Sequence, residues 1–335
     1  MSPAPPLKTP FPDLPPAGRP DPAAARRLAE ILERPYRTLR LDWNGELAML
    51  TVRLAVKPIQ CYSLAAMTEL QFLFDDVSAY PGIVRHFVMA SDVPRVFNFG
   101  GDLALFVLLA RSRDIDSLKM YGRRCIDLIW WLETAADRGV LTAGLVQGDS
   151  LGGGLENLLP LHRVICERSV NAGFPEVLFN LFPGMGAWSF IARKSGITVA
   201  NEMILSGRLY TAEELQARGL VDQVVNDGEG EAALEQHVRS VDSRWRGCIN
   251  ALRARRMAAP VSYESLVQIV DHWAETALGL TDRDLRLMER LARAQIRKVG
   301  GADDGAIEEI KRIELESAWH GLRPAPRTTG TAHLN

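Results

Sequence analysis

The chain is short of cysteine, has no surplus of positive charge and has no long apolar run, and each shortage closes off a class of function. Its 335 residues include four cysteines, Cys61, Cys125, Cys166 and Cys248. They are scattered without a Cys-x-x-Cys pair, and only Cys166 has a histidine nearby, His162. That pattern supports neither a disulfide framework nor a zinc site, and the expectation is buried small side chains in a reducing compartment, with no metal and no cofactor. The net charge of −2 argues against a nucleic-acid partner, because neutralising phosphates needs a clear basic excess. No apolar stretch is long enough to span a bilayer, and the first residues have no apolar signal-peptide core, so the expected location is cytoplasmic.

What is present is an ordinary globular composition, 47% hydrophobic and 24% charged, on a chain long enough to bury a large core. Prolines crowd residues 1–21, which removes sheet donors and blocks helix, and predicts a disordered arm. After it the sequence predicts a helix over Pro22–Glu33 with Asp21 as its cap, then strands over Tyr36–Asp42 and Glu46–Arg53 joined by a tight Asn44-Gly45 turn. Leu64–Ala79 and Asp114–Ala136 read as helices, and Ile83–Ala90 and Val140–Gln147 as buried strands. This alternation is the pattern of an α/β protein. From about Asp227 the pattern turns helical, through Leu285–Lys298 and Ala306–Ala318. The expected division is an arm to residue 21, a core over 22–226, a helical C-terminal subdomain over 227–321 and a flexible tail over 322–335.

The densest chemical signal is the run from Gly148 to Glu156, Gly-Asp-Ser-Leu-Gly-Gly-Gly-Leu-Glu, just after an apolar strand. Consecutive glycines at a strand-to-helix junction let the backbone approach a ligand and present N–H groups to a developing oxyanion. Glu156 then falls in the first turn of the next helix. A second pair, Gly100-Gly101, follows the apolar Val96–Phe99 stretch and precedes another helix. In Gly173-Phe-Pro-Glu176 a carboxylate sits among apolar residues, which raises its pKa toward the range useful for proton transfer. Taken singly, each has an ordinary explanation: a loop, a charge complementing a helix dipole, a satisfied buried acid.

Gly148-Asp-Ser-Leu-Gly152 also matches the G-x-S-x-G nucleophile elbow, which would make Ser150 the nucleophile of a serine hydrolase with Asp222 and His237 as partners. Against this, Glu231–Ser240 reads as an exposed helix, and the extra glycines have no part in that chemistry.

Together the two glutamate motifs, Phe182-Pro-Gly-Met-Gly186, Ala200-Asn-Glu-Met-Ile-Leu-Ser-Gly207, Ala212-Glu-Glu-Leu215 and Gly219-Leu-Val-Asp222 resemble the enoyl-CoA hydratase/isomerase (crotonase) superfamily over about Tyr36 to Val225. Within it, the stretches Asn98–Phe106 and Phe174–Gly186, with Asp271-His-Trp273 in the helical tail, resemble the diffusible-signal-factor synthases, which make cis-2-unsaturated fatty-acid signals. The resemblance implies a crotonase-type ββα spiral core with a helical C-terminal subdomain, assembled as a homotrimer. Gly101 and Gly153 match the oxyanion-hole residues and Glu156 and Glu176 the paired acid/base carboxylates. Met185, Trp188, Trp273 and Leu291 match acyl-tunnel positions.

The implied activity is a dehydratase and thioesterase acting on a 3-hydroxyacyl-acyl-carrier-protein to release a cis-2-enoic acid, with enoyl-CoA hydratase as the alternative. A sensor-kinase partner is a further possibility the resemblance raises. Asp102–Phe106 lacks the basic residue that many coenzyme-A-dependent members carry after the first oxyanion glycine. This favours a carrier-protein thioester over a coenzyme A one, with Arg253, Arg255 and Arg256 as the basic patch to meet the carrier.

Overall fold

In the computed structural model residues 22–300 are described, together with Phe11 and Leu14. Most of the expected arm, with Asp21, all of the expected tail and the expected helix over Ala306–Ala318 lie outside the described residues.

Helix α1 (Pro22–Glu33) leads into β1 (Leu39–Asn44) and β2 (Met49–Leu54), followed by α2 (Leu64–Ala79), β3 (His86–Ser91) and β4 (Arg95–Asn98). Two helices, α3 (Leu103–Ser112) and α4 (Ile115–Glu133), separate these from β5 (Leu141–Val146) and β6 (Gly148–Leu151). After α5 (Gly153–Leu158) come β7 (Arg163–Glu167) and β8 (Asn171–Gly173), then α6 (Ala187–Ser195), α7 (Ile197–Ser206), β9 (Leu209–Thr211), α8 (Ala212–Ala217) and β10 (Gln223–Val225). From there to Lys298 the chain is helical: α9 (Gly230–Asp242), α10 (Trp245–Ala258), α11 (Tyr263–Ala277) and α12 (Asp282–Lys298).

The strands form two sheets, a six-stranded one in the order β1-β2-β3-β5-β7-β10 and a four-stranded one in the order β4-β6-β8-β9. Each coil of the chain gives one strand to the large sheet and the next to the small one: β3 then β4, β5 then β6, β7 then β8. This is the ββα spiral. β2, β3, β5, β7 and β10 are parallel, as are β4, β6 and β8, because a helical return brings the chain back to the same end of the sheet each time. Residues of β3 and β5 are almost all buried, which explains why they read as continuous apolar runs.

Asn44-Gly45 does not make the tight turn expected. Asn44 pairs with Met49, leaving a four-residue loop in which Ala48 is left-handed (φ 47°) and the Asn44 side chain accepts a hydrogen bond from the Leu47 N–H. The Asn side chain folds back on its own loop, an alternative to a turn centred on Gly45. The long helix expected over Asp114–Ala136 stops at Glu133. Thr134 turns its hydroxyl onto the Trp130 carbonyl, and a 3₁₀ turn over Ala135–Arg138 closes at left-handed Gly139 (φ 77°).

The C-terminal helices pack back on the spiral: α9 lies against β5 and β7, α11 against α4, and α12 against α3. None of the described helices is long and apolar enough to cross a membrane.

Candidate functional site

Three neighbouring parallel strands of the small sheet deliver the site. Gly100-Gly101 follow the end of β4, Gly152-Gly153 follow β6, and Pro175-Glu176 open a 3₁₀ turn after β8. Side-by-side strands running the same way place their carboxyl ends together, and α/β ligand sites commonly form there.

The glycines are needed for close approach. Gly100 (φ 89°) packs so tightly that a β-carbon on it would lie 2.7 Å from the Gly153 N and 2.8 Å from the Leu151 O. A β-carbon on Gly153 would lie 3.5 Å from the Gly101 N, so the backbone N–H groups of Gly101 and Gly153 are neighbours. Gly153 opens α5, where a first-turn N–H has no acceptor within the helix. The Gly101 loop is held from behind. Tyr121 donates its hydroxyl to the Tyr62 carbonyl at 2.5 Å and accepts from the Asp102 N–H at 3.1 Å, while Tyr62 donates its N–H to the Gly100 carbonyl at 2.8 Å.

Glu156 projects from α5 and is 1% exposed. Its Oε1 accepts two backbone N–H groups, Met185 at 2.7 Å and Ala187 at 3.0 Å. Burial pushes its pKa up to about 7, against the pull of those two donors. Glu176 faces the open cavity and is only partly covered as a residue, yet its Oε2 is enclosed and has no hydrogen-bond partner. Its pKa is pushed up to about 8, first by burial and then by the charge of Glu156. The Glu176 carboxylate rests against Gly152, where a β-carbon would come within 2.3 Å of Oε1. Gly152 is therefore required twice, for that contact and for its φ of 51°.

These groups line one side of a cavity of about 400 Å³, within the range of small-molecule sites. Aromatic rings close much of the rest: Phe106 stands edge-on to both Tyr121 (4.9 Å) and Trp273 (4.8 Å), with Phe179 and Phe182 on the wall. Of the positions expected to hold an acyl chain, Met185, Trp273 and Leu291 line the cavity. Trp188 does not. It packs against the core instead. The aromatic wall has no local sequence signal, because Phe106, Tyr121 and Phe179 come from α3, α4 and the turn after β8 and meet only in the fold. Lys298 of α12 and Asp149 form an ion pair at the mouth.

The hydrolase alternative is overturned by the same geometry. Ser150 is a strand residue of β6 whose hydroxyl is buried with no partner, and it does not face the cavity. Asp222 accepts from the Val164 N–H at 2.6 Å, and His237 looks into a separate cavity of about 270 Å³ together with His86 and His162. The elbow pattern fails because the sharp turn falls at Gly152, two residues beyond the serine.

The expected carrier-facing arginines are also redirected. Arg253 is 7% exposed and donates to the carbonyls of Ala136 (3.2 Å) and Asp137 (2.8 Å). Arg256 pairs with Asp137 and reaches Glu133 at 3.5 Å. Arg255 is partly buried, and burial lowers its pKa. Arg253 and Arg256 pin α10 to the loop after α4, and with Arg255 partly buried the three do not form a basic face. Cys61, Cys125 and Cys166 are buried and Cys248 partly so, all as free thiols. Among the described residues no histidine, cysteine and carboxylate cluster is arranged to hold a metal ion.

The two-sheet ββα spiral and the glycine-built pocket define a crotonase-type α/β protein. The chain belongs to the enoyl-CoA hydratase/isomerase family, whose model matches residues 53–271. It is similar to the fatty acid oxidation complex subunit alpha of Shewanella loihica, 30% identical over 196 residues, covering 58% of this chain and 25% of that one. It is also similar to the peroxisomal bifunctional enzyme of Cavia porcellus, 39% identical over 90 residues, covering 27% of this chain and 12% of the other. The chain thus spans a quarter or less of the length of these curated relatives. Among solved structures, a putative enoyl-CoA hydratase from Streptomyces avermitilis superposes with a TM-score of 0.66 at 20% identity, over 83% of this chain and all of the other. Pseudomonas aeruginosa DspI superposes with a TM-score of 0.58 at 21% identity, over 68% of this chain and 90% of DspI. At those identities both likenesses concern the fold.

Proposed function

We propose that the chain is a dehydratase and thioesterase for 3-hydroxyacyl thioesters carried on acyl-carrier protein, releasing a cis-2-enoic acid of the diffusible-signal type. The observation that supports it most is the pair of cavity-facing carboxylates, with pKa values raised to about 7 and about 8, beside the unshared N–H groups of Gly101 and Gly153. Such values let one carboxyl act as base while the other acts as acid near neutral pH.

In this reading Gly101 and Gly153 hold the thioester oxygen, on which negative charge grows as the α-proton leaves. Ionised Glu176 takes that proton. The C3–O bond breaks and protonated Glu156 gives its proton to the departing hydroxyl, which leaves as water. The pair now holds its proton on Glu176, with Glu156 ionised, which is also the arrangement favoured at rest because Glu156 accepts two backbone N–H groups while the enclosed Oε2 of Glu176 has no partner and burial raises the Glu176 pKa further. In that state Glu156 draws a proton from a water attacking the thioester carbon, through a second oxyanion at the same two N–H groups. The C–S bond breaks, the thiolate leaves with the proton of Glu176, and the pair returns to its starting state. The aromatic cavity with Met185, Trp273 and Leu291 takes the acyl chain.

A second reading is enoyl-CoA hydratase. The family match supports it, and so does the resting arrangement, since ionised Glu156 and protonated Glu176 are what adding water to a double bond requires. Incubation with matched 3-hydroxyacyl-carrier-protein and 3-hydroxyacyl-CoA, followed by mass spectrometry, separates the two. Free cis-2-enoic acid from the carrier form supports the first, and reversible hydration of the CoA form alone supports the second. A homotrimer, a cytoplasmic location and a sensor-kinase contact belong to the first reading. Pull-down with the Glu156→Ala/Glu176→Ala double variant tests the kinase contact apart from catalysis.

A further inference from the structure

We infer that the solvent face of α12 is a docking surface for an acidic helix of the carrier protein that delivers the thioester. This rests on the carrier-thioester reading of the site. Arg283, Arg286, Arg290 and Arg293 are all exposed and line a shallow groove along α12. Their spacing of three, four and three residues puts them on one stripe of a helix with 3.6 residues per turn.

Among the described residues little explains the stripe beyond the charge of Asp284 beside Arg283. Among the described residues no carboxylate forms an ion pair with any of the four. The single acidic residue among them, Glu289, is engaged by Arg111 of α3 at 2.7 Å, which adds another exposed arginine to the patch. Like charges at this spacing repel along a helix. The helix dipole accounts for cations in the last turn, yet Arg283 lies in the first, where a positive charge is disfavoured. The overall charge is −2, so the patch is local.

The second observation is position. At about 100° per residue, α12 carries three sectors. Leu285, Met288, Ala292 and Ile296 are buried in the core, Leu291, Gln295 and Lys298 line the cavity mouth, and the arginine stripe borders the mouth on the solvent side. From Arg283 to Arg293 the stripe runs about 15 Å, the length of a three-turn helix. A partner helix carrying carboxylates at matching spacing would lie along α12 with its prosthetic thioester next to the opening. The proposed arms of recognition are therefore ionic at the surface and apolar inside.

The test uses the full chain and the Arg286→Glu/Arg290→Glu/Arg293→Glu variant, with three thioesters of one 3-hydroxyacyl group: on acyl-carrier protein, on coenzyme A and on neutral N-acetylcysteamine. The expected result is a fall in kcat/KM for the carrier form of about 10- to 100-fold, mainly through KM, with the neutral form unchanged. Wild-type turnover of the carrier form should also fall with salt, and a carrier variant with lysines in place of its helix carboxylates should recover part of the loss. Equal loss on all three substrates, or a loss confined to the coenzyme A form, overturns the inference. If no 3-hydroxyacyl thioester is turned over, the catalytic reading has failed, and binding of labelled carrier protein to wild type and variant still decides the docking surface: equal affinity overturns it.

Discussion

Replacing Glu156 by glutamine should cost activity and raise stability, and the stability gain should grow with pH. The amide keeps an oxygen for the Met185 and Ala187 N–H groups, which lie 2.7 and 3.0 Å from the present carboxylate, so the local fold survives. The fold holds the Glu156 carboxyl protonated to about pH 7, against an ordinary value of 4.5. A group whose pKa is raised on folding gives its full stabilisation below the unfolded value and loses it as pH climbs through the folded one. The wild type therefore gives up about 3 kcal/mol between roughly pH 4.5 and 7, at about 1.4 kcal/mol for each pH unit between the two values. Glutamine gives up none of it. Removing the Glu156 charge also relieves Glu176, whose pKa should fall, which adds to the gain in the same direction.

Thermal midpoints should coincide near pH 4 and differ by roughly 4–6 °C near pH 9, with the variant higher. Dehydration by the variant should fall by about 10²- to 10⁴-fold, the share general acid–base catalysis supplies. The measurement is differential scanning fluorimetry across pH beside initial rates. A difference in midpoints that does not change with pH, or a wild type more stable than the variant at pH 9, would sink the account of Glu156 as a buried, proton-holding acid.

The pH–rate profile of the wild type should be a narrow bell. Below about 7 both carboxyls carry protons and there is no base; above about 8 both are ionised and there is no acid. Initial rates giving a flat kcat/KM from pH 5 to 10 would count against the pair. Gly152→Ala puts a methyl 2.3 Å from the Glu176 carboxylate and strains a φ of 51°, so kcat should drop at least about 100-fold. Gly196→Ala, strained at φ 91° but with open space around it, should lower the thermal midpoint and leave kcat alone. Glu133 is 1% exposed and holds Arg193 by two bonds of 2.6 and 2.7 Å, so Glu133→Ala should destabilise by about 3–5 kcal/mol in urea unfolding by stranding that arginine. A fluorophosphonate should leave the protein unlabelled, and Ser150→Ala should keep its activity, because the Ser150 hydroxyl is enclosed in β6.

Much of the fold was legible along the chain. Helices over Pro22–Glu33 and Leu64–Ala79 fall where the sequence places them, and the buried strands β3 and β5 announce themselves as apolar runs. The glycine runs pointed to close backbone approach, and the two glutamate motifs pointed to carboxylates in apolar surroundings. Those are properties of a residue and its near neighbours, and sequence carries them directly.

What sequence could not settle depends on groups distant in the chain. The four glycines and the two glutamates meet only because β4, β6 and β8 are adjacent parallel strands. The raised pKa of Glu176 needs Glu156, 20 residues earlier, as well as burial. A serine in an elbow pattern became an enclosed strand residue, and of three arginines that looked like a basic face two, Arg253 and Arg256, became anchors of α10. The arginines of α12 could be counted in the sequence, but only the structure put Leu291, Gln295 and Lys298 of the same helix on the cavity wall, which sets the stripe on the adjacent face. Burial, charge coupling and access are set by tertiary contacts, so the chain by itself named the acid pair and the structure decided what surrounds it.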